Sequence, residues 1–99
     1  MFDVGQLRQI ELGIIGGIDV SIYAKPEFNW LQMYQIRWGL RELVDVSIYA
    51  KLEFGGGQMR QIRMGLGMGL DVSSYAKPEF DWEQIWQMRL RLWEEKNNV

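Results

Sequence analysis

The sequence predicts an all-α helical-hairpin tandem repeat, α-solenoid-like, with one long and one short helix per 26-residue unit. Three observations predict it. "DVSIYAKPEF" begins at Asp19, "DVSIYAKLEF" at Asp45 and "DVSSYAKPEF" at Asp71, so the block returns every 26 residues. "QLRQIELGI" from Gln6, "QMYQIRWGL" from Gln32, "QMRQIRMGL" from Gln58 and "QIWQMRLRL" from Gln84 keep the same period, with no insertion between copies. A hairpin this small cannot bury its own apolar face, whereas stacked copies can. The units span 2–27, 28–53 and 54–79, with a terminal partial unit at 80–99, and together they make one repeat domain, 1–99.

Each unit opens on a helix-start signal. Asp3-Val4-Gly5-Gln6, Asn29-Trp30-Leu31-Gln32 and Asp81-Trp82-Glu83-Gln84 match a capping box, in which the Asn or Asp oxygen accepts the N3 amide and the Gln reaches back. Apolar residues follow at helical spacing: Trp30, Met33, Ile36, Leu40 and Val44 in the second unit, Trp82, Ile85, Met88 or Arg89, and Leu92 in the last. In the first helix Leu7, Ile10 and Ile14 make the core stripe. The long helices are expected to end near Gly17, Val44 and Gly69, glycine being a natural left-handed terminator. Asp19, Asp45 and Asp71 then cap a short second helix of one or two turns, α or 3₁₀. Propensity alone also permits a strand at "DVSIYA", but no second strand pattern accompanies it. The following Lys-Pro-Glu or Lys-Leu-Glu turns the chain into the next Phe.

Composition narrows the function. The chain has 99 residues, 47% apolar and 24% charged, which suits a folded domain rather than a disordered one. A net charge of −2 gives no field to attract nucleic acid. There is no cysteine and no histidine, which removes disulfides, thiolate metal sites and the commonest general base. No apolar run approaches the roughly 18 residues of a membrane span. The first residues carry Asp3 and no basic run, unlike a signal peptide. A cytoplasmic, soluble protein without cofactor, contacting neither membrane nor nucleic acid, is the expectation.

The frame of the unit, which stands as "FNWLQMYQIRWGLRELVDVSIYAKLE" from Phe28, resembles a short tandem helical repeat of uncharacterised Gram-positive bacterial and mobile-element proteins. The resemblance covers almost the whole chain, and "DVSIYAKPEF" is its specific phrase. It implies a helical repeat and brings no activity or cofactor. The chain departs from the frame by placing Ile14, Ile15, Leu31, Tyr34, Trp38, Trp86 and Trp93 on long helices where charged residues are usual, which suggests an engineered or selected variant.

Residues 54–70, "FGGGQMRQIRMGLGMGL", invite comparison with a phosphate loop. Such a loop follows a strand and continues into Gly-Lys-Ser/Thr, neither of which occurs here. Gly55, Gly56 and Gly57 fall instead in the cap, N1 and N2 slots of the third long helix, which is expected to fray first. Gly65 shares a register with Gly13 and Gly39, which points to close packing against a neighbouring helix. The pairs Gln6/Gln9, Gln32/Gln35, Gln58/Gln61 and Gln84/Gln87 divide into a capping residue and one that bonds between units. Ser21, Ser47 and Ser73 lack a histidine base and serve helix starts. The Tyr-Ala-Lys and acidic positions are dispersed by the repeat and do not form a catalytic or calcium cluster. No enzymatic activity is expected.

The aromatic surplus is the sharpest signal. Trp86, Leu90 and Trp93 form a second stripe on the last helix, and terminal repeats normally present a polar outer face. Ile15, Tyr34 and Trp38 extend the apolar excess to other units. Large exposed apolar patches mark association, unless the stack curls so that its own ends cover them. The partner expected is the chain itself, in a homo-oligomer; the alternative is another protein, as for a mobile-element inhibitor or adaptor that uses the variable long-helix face.

Overall fold

A computed structural model of the chain describes residues 1–97. Four α-helices follow one another: α1 (Val4–Ile15), α2 (Trp30–Arg41), α3 (Gly56–Gly67) and α4 (Trp82–Asn97). Single 3₁₀ turns at Val20–Ile22, Val46–Ile48 and Val72–Ser74 separate them, and no strand occurs among the described residues. The short helix is therefore one 3₁₀ turn. The long helices pack consecutively, α1 on α2, α2 on α3 and α3 on α4, in a body of 47 × 26 × 17 Å.

The helix starts follow from their caps. Asp3, Asn29 and Asp81 each accept the amide of the Gln three residues on, at 2.8 Å, and that Gln accepts the cap amide in return. Gly55 has no side chain to offer, so only the Gln58 half of the box remains, Gly55 N donating to Oε1 at 2.8 Å. Helix ends α1 to α3 close in one motif. The amides of Ile18, Val44 and Leu70 reach back to the carbonyls of Gly13, Gly39 and Gly65 at 2.9, 3.1 and 3.0 Å. The residue before each is left-handed: Gly17 at φ 71°, Leu43 at 61° and Gly69 at 74°. In the second unit that terminator is Leu43, one residue before the expected Val44, and it pays the Cβ strain that glycine avoids.

Gly13, Gly39 and Gly65 leave no room for a methyl group. A Cβ on any of them would overlap the hydroxyl of Tyr23, Tyr49 or Tyr75, the tyrosine ten residues further on. The close approach is thus made by each unit's own 3₁₀ turn, not by the adjacent long helix. Tyr23 and Tyr49 donate to the carbonyls of Gln9 and Gln35 at 2.6 Å, whereas the Tyr75 hydroxyl is buried without a partner among the described residues. With Phe28, Phe54, Met33, Ile36, Met59, Ile62 and Ile85, these tyrosines form a core running along the stack. Leu7 and Ile14, expected in that core, are 52% and 63% exposed. The counterparts of Leu7, which are Met33, Met59 and Ile85, are fully buried, and those of Ile14, which are Leu40, Leu66 and Leu92, are partly buried; each has a preceding unit stacked beside it, which α1 lacks among the described residues.

Polar contacts fix one unit on the next. Gln6, Gln32 and Gln58 donate through Nε2 to the carbonyls of Phe28, Phe54 and Phe80 at 2.6, 2.7 and 2.6 Å. Gln9, Gln35 and Gln61 accept from the Nε of Arg37, Arg63 and Arg89 at 3.1, 2.9 and 3.1 Å. Every junction therefore carries the same two bonds, in register. A buried guanidinium without its acceptor would be costly, so these pairs set the stacking as much as they stabilise it. Glu11 holds the arginine register in the first unit, where it is exposed.

Candidate functional site

The long-helix registers two residues after the glycine and five before it lie about 200° around the helix from it, on the side away from the 3₁₀ turns. Those registers hold Arg8 and Ile15 on α1, Tyr34 and Arg41 on α2, Arg60 and Gly67 on α3, and Trp86 and Trp93 on α4. The expected association residues therefore share one side of the molecule, with Trp38 and Leu90 just beside that line. They do not form one patch. Arg60, Met64 and Gly67 of α3 stand between the aromatics of α2 and those of α4.

The two aromatic groups differ in what covers them. Tyr34 and Trp38 meet edge to face at 6.2 Å, both partly buried. Arg37 lies 5.5 Å from each ring and Arg41 lies 5.0 Å from Trp38, cation–π contacts that occupy the ring faces. The Trp38 indole nitrogen is buried without a partner among the described residues. On α4, Trp86 and Trp93 are 39% and 40% exposed, with Leu90 partly buried between them. Ile15 is 74% exposed.

Glycine and bulk alternate where consecutive long helices cross at their N-terminal ends. Gly5 lies under Trp30, whose Cβ is 3.1 Å from the place a Gly5 Cβ would take, and Gly57 lies under Trp82 at 3.2 Å. Trp30 and Trp82 therefore cover neighbouring backbone while remaining 51% and 54% exposed; neither belongs to the core stripe that the spacing predicts. Between α2 and α3 the pair is reversed. Leu31 packs on Gly56, where a Cβ would overlap its Cγ and Cδ2, and no tryptophan closes the crossing. A hollow of about 540 Å³ opens there, walled by Trp30, Tyr34, Arg60 and Arg63 over Gly56 and Gly57. A second hollow of about 370 Å³ continues it along the same two helices past Arg60, Arg63 and Glu42. Arg63 is held by Gln35 and by Glu42 at 2.7 Å, while Arg60 is exposed and makes no hydrogen bond or ion pair among the described residues.

Titratable groups elsewhere are engaged in local structure. Asp19 and Asp45 accept from both the amide and the hydroxyl of Ser21 and Ser47. The Ser21 hydroxyl, then its amide, holds the Asp19 carboxyl below its ordinary value. Burial pushes the phenols of Tyr23, Tyr49 and Tyr75 upward, against the pull of Arg37, Arg63 and Arg89, and Tyr75 reaches about 12. No three metal-ligating side chains converge among the described residues, and no helix there is long and apolar enough to cross a membrane.

The arginine donors Arg37, Arg63 and Arg89 are not marked as inter-unit contacts by apolar periodicity. Their signal is present, because arginine fills one register in units two to four and glutamate fills it in unit one. Compared with protein-family models, with curated proteins and with solved structures, the chain has no match.

Proposed function

We propose that the chain is a non-enzymatic, solenoid-like helical-repeat scaffold whose function is protein binding, with a second copy of itself as partner. The observation that carries this is the pair Trp86 and Trp93. They lie two turns apart on the outward side of α4, each about two-fifths exposed, with Leu90 between them. Their exposed area, at roughly 25 cal/mol per Å², is worth at most about 5 kcal/mol. Association costs about 4–15 kcal/mol in lost freedom, so the tryptophans anchor a contact that must bury more than themselves.

A concentration series by light scattering tests the proposal. Mass should rise with concentration in the wild type, and Trp86→Glu with Trp93→Glu should give a folded, soluble monomer. A wild-type monomer across the whole series would refute self-association. Unfolding of the double variant would place the two side chains in the core and not in an interface.

A further inference from the structure

The junction between units is one contact made three times, and the two ends of the stack each present half of it. Gln6, Gln32 and Gln58 reach the carbonyls of Phe28, Phe54 and Phe80, and Gln9, Gln35 and Gln61 accept from the arginines of the next unit. On α4 the same registers are Gln84 and Gln87. Gln84 uses its Oε1 and its backbone amide in the cap, but its Nε2 donates to nothing among the described residues. Gln87 is exposed and its side chain makes no bond there. At the opposite end the Phe2 carbonyl, in the register of Phe28, accepts no hydrogen bond among the described residues. Leu7 and Ile14 stand exposed beside it, at registers that are fully or partly buried in units two to four. One end holds the unmet donor, and the other holds the unmet acceptor and the uncovered apolar side chains.

We propose that α1 of a second copy stacks on α4 and continues the repeat, so that the junction inside the chain is made once more between chains. The 26-residue period sets the partners. Gln84 Nε2 meets the Phe2 carbonyl, and Leu7 and Ile14 gain a preceding layer. Gln87 meets Glu11, which holds the register of the arginine donors, so its amide presents Nε2 in place of Oε1. The charges exchange in the same way. In units two to four the arginine acts on the tyrosine hydroxyl that sits against the glycine register. α4 carries Arg91 at that register, which brings a cation to Glu11. Glu94, in the register of Glu42, faces the same place, and Arg91 one turn before it offsets both acids. The tryptophans lie along the flank. Tyr34 and Arg60, one register in consecutive units, wall a common hollow, so Trp86 falls beside Arg8 of the second copy and Trp93 beside its Ile15. This contact rests on the self-association proposed above and supplies the surface that receives the tryptophans. It joins two different faces, so each pair leaves one of each open and growth does not stop at two copies.

Sedimentation and light scattering on the full chain provide the test. Wild-type mass should climb past two copies as concentration rises; a plateau at the dimer would overturn this contact and leave self-association standing. Leu7→Glu with Ile14→Glu spoils the α1 face, and Gln87→Glu with Arg91→Glu spoils the α4 face. All four side chains are exposed, so both variants should stay helical. Each variant alone should associate about tenfold more weakly, or worse. Mixed in equal amounts they should pair at wild-type strength and stop at two copies, because each retains the face that the other has lost. Weakening in only one of the variants would mean that a face pairs with its own kind, and would overturn the stack. Two weakened variants that do not pair on mixing would overturn it as well, and so would wild-type association in both. If either variant loses its helical circular dichroism, the growth of the wild type past two copies still decides. A monomeric wild type would overturn both proposals.

Discussion

α2 carries Trp30, Leu31, Tyr34 and Trp38 at the registers where α3 carries Gly56, Gly57, Arg60 and Met64, and both run for twelve residues. Helices of that length are marginal in water even with good formers, and α3 has four glycines within its span. The two backbones nonetheless start, end and stack alike. Both are bonded to the next unit through a Gln Nε2 to a Phe carbonyl and through a Gln Oε1 to an Arg Nε. The comparison teaches that contacts between units hold the fold, and that intrinsic propensity is free to vary. It also separates the glycines of α3 by what they meet. Gly56 is buried under Leu31, Gly57 lies under Trp82 and Gly65 under Tyr75, whereas nothing lies within 4 Å of a Cβ placed on Gly67.

The largest effect should come from the glycine that meets the tyrosine. In Gly39→Ala the new methyl displaces the Tyr49 hydroxyl from the Gln35 carbonyl and crowds Val46 Cγ1 at 2.6 Å. Overpacking of this kind costs about 1–3 kcal/mol, and a lost hydrogen bond adds about 1. Gly65→Ala meets the same crowding, but Tyr75 has no bond to lose and Val72 Cγ1 stands further off, at 3.0 Å. Denaturant unfolding should therefore rank Gly39→Ala as more damaging than Gly65→Ala by about 1 kcal/mol. Equal losses would mean the Tyr49 hydrogen bond contributes nothing.

The tyrosines sharpen the same contrast. Tyr49→Phe should cost about 1 kcal/mol, because it removes a buried bond, and Tyr75→Phe should be close to neutral, because it removes a buried hydroxyl with no partner. Alkali gives an independent reading. Tyr75 ionises near 10 in an unfolded chain and at about 12 in the fold, so above pH 10 the unfolded state binds fewer protons. Stability is then full below pH 10 and falls as pH rises toward 12. Tyr75→Phe should flatten that fall, measured as the change in denaturant midpoint between pH 10 and 12, while Tyr49 and Tyr23 account for the remainder.

Much of this architecture is legible in the letters. The period places all four long helices, the caps place their starts, and Gly17 and Gly69 mark two of the three ends. Contacts that cross units are harder to read. Gly56 answers Leu31 and Gly57 answers Trp82, pairs 25 residues apart in a 26-residue repeat, so aligning copies never sets the partners side by side. For the same reason the glycine triplet reads only as a weak cap and first turn until the neighbouring helix is present. Leu7 and Ile14 mislead in the opposite direction, because the pattern that buries Met33 and partly buries Leu40 depends on a preceding layer and α1 has none among the described residues.

Two substitutions in α3 should act through propensity and capping, with no packing partner to disturb. Gly67→Ala should stabilise by up to about 1 kcal/mol, since the position is helical, exposed and open. Gly55→Asn should add only a few tenths, because glycine is itself a tolerable cap and its extended backbone, φ −76° and ψ 167°, already suits asparagine. Thermodynamics will barely register the second change, but exchange of a single amide will. The N3 amides of Gln6, Gln32 and Gln84 donate to their caps at 2.8 Å, and Gln58 has no such acceptor. Hydrogen exchange at Gln58 should be faster than at Gln32 in the wild type and should slow in Gly55→Asn. An amide at Gln58 already as protected as that of Gln32 would show that neighbouring units, through the Gln58 bond to Phe80, hold the first turn of α3 closed without a cap.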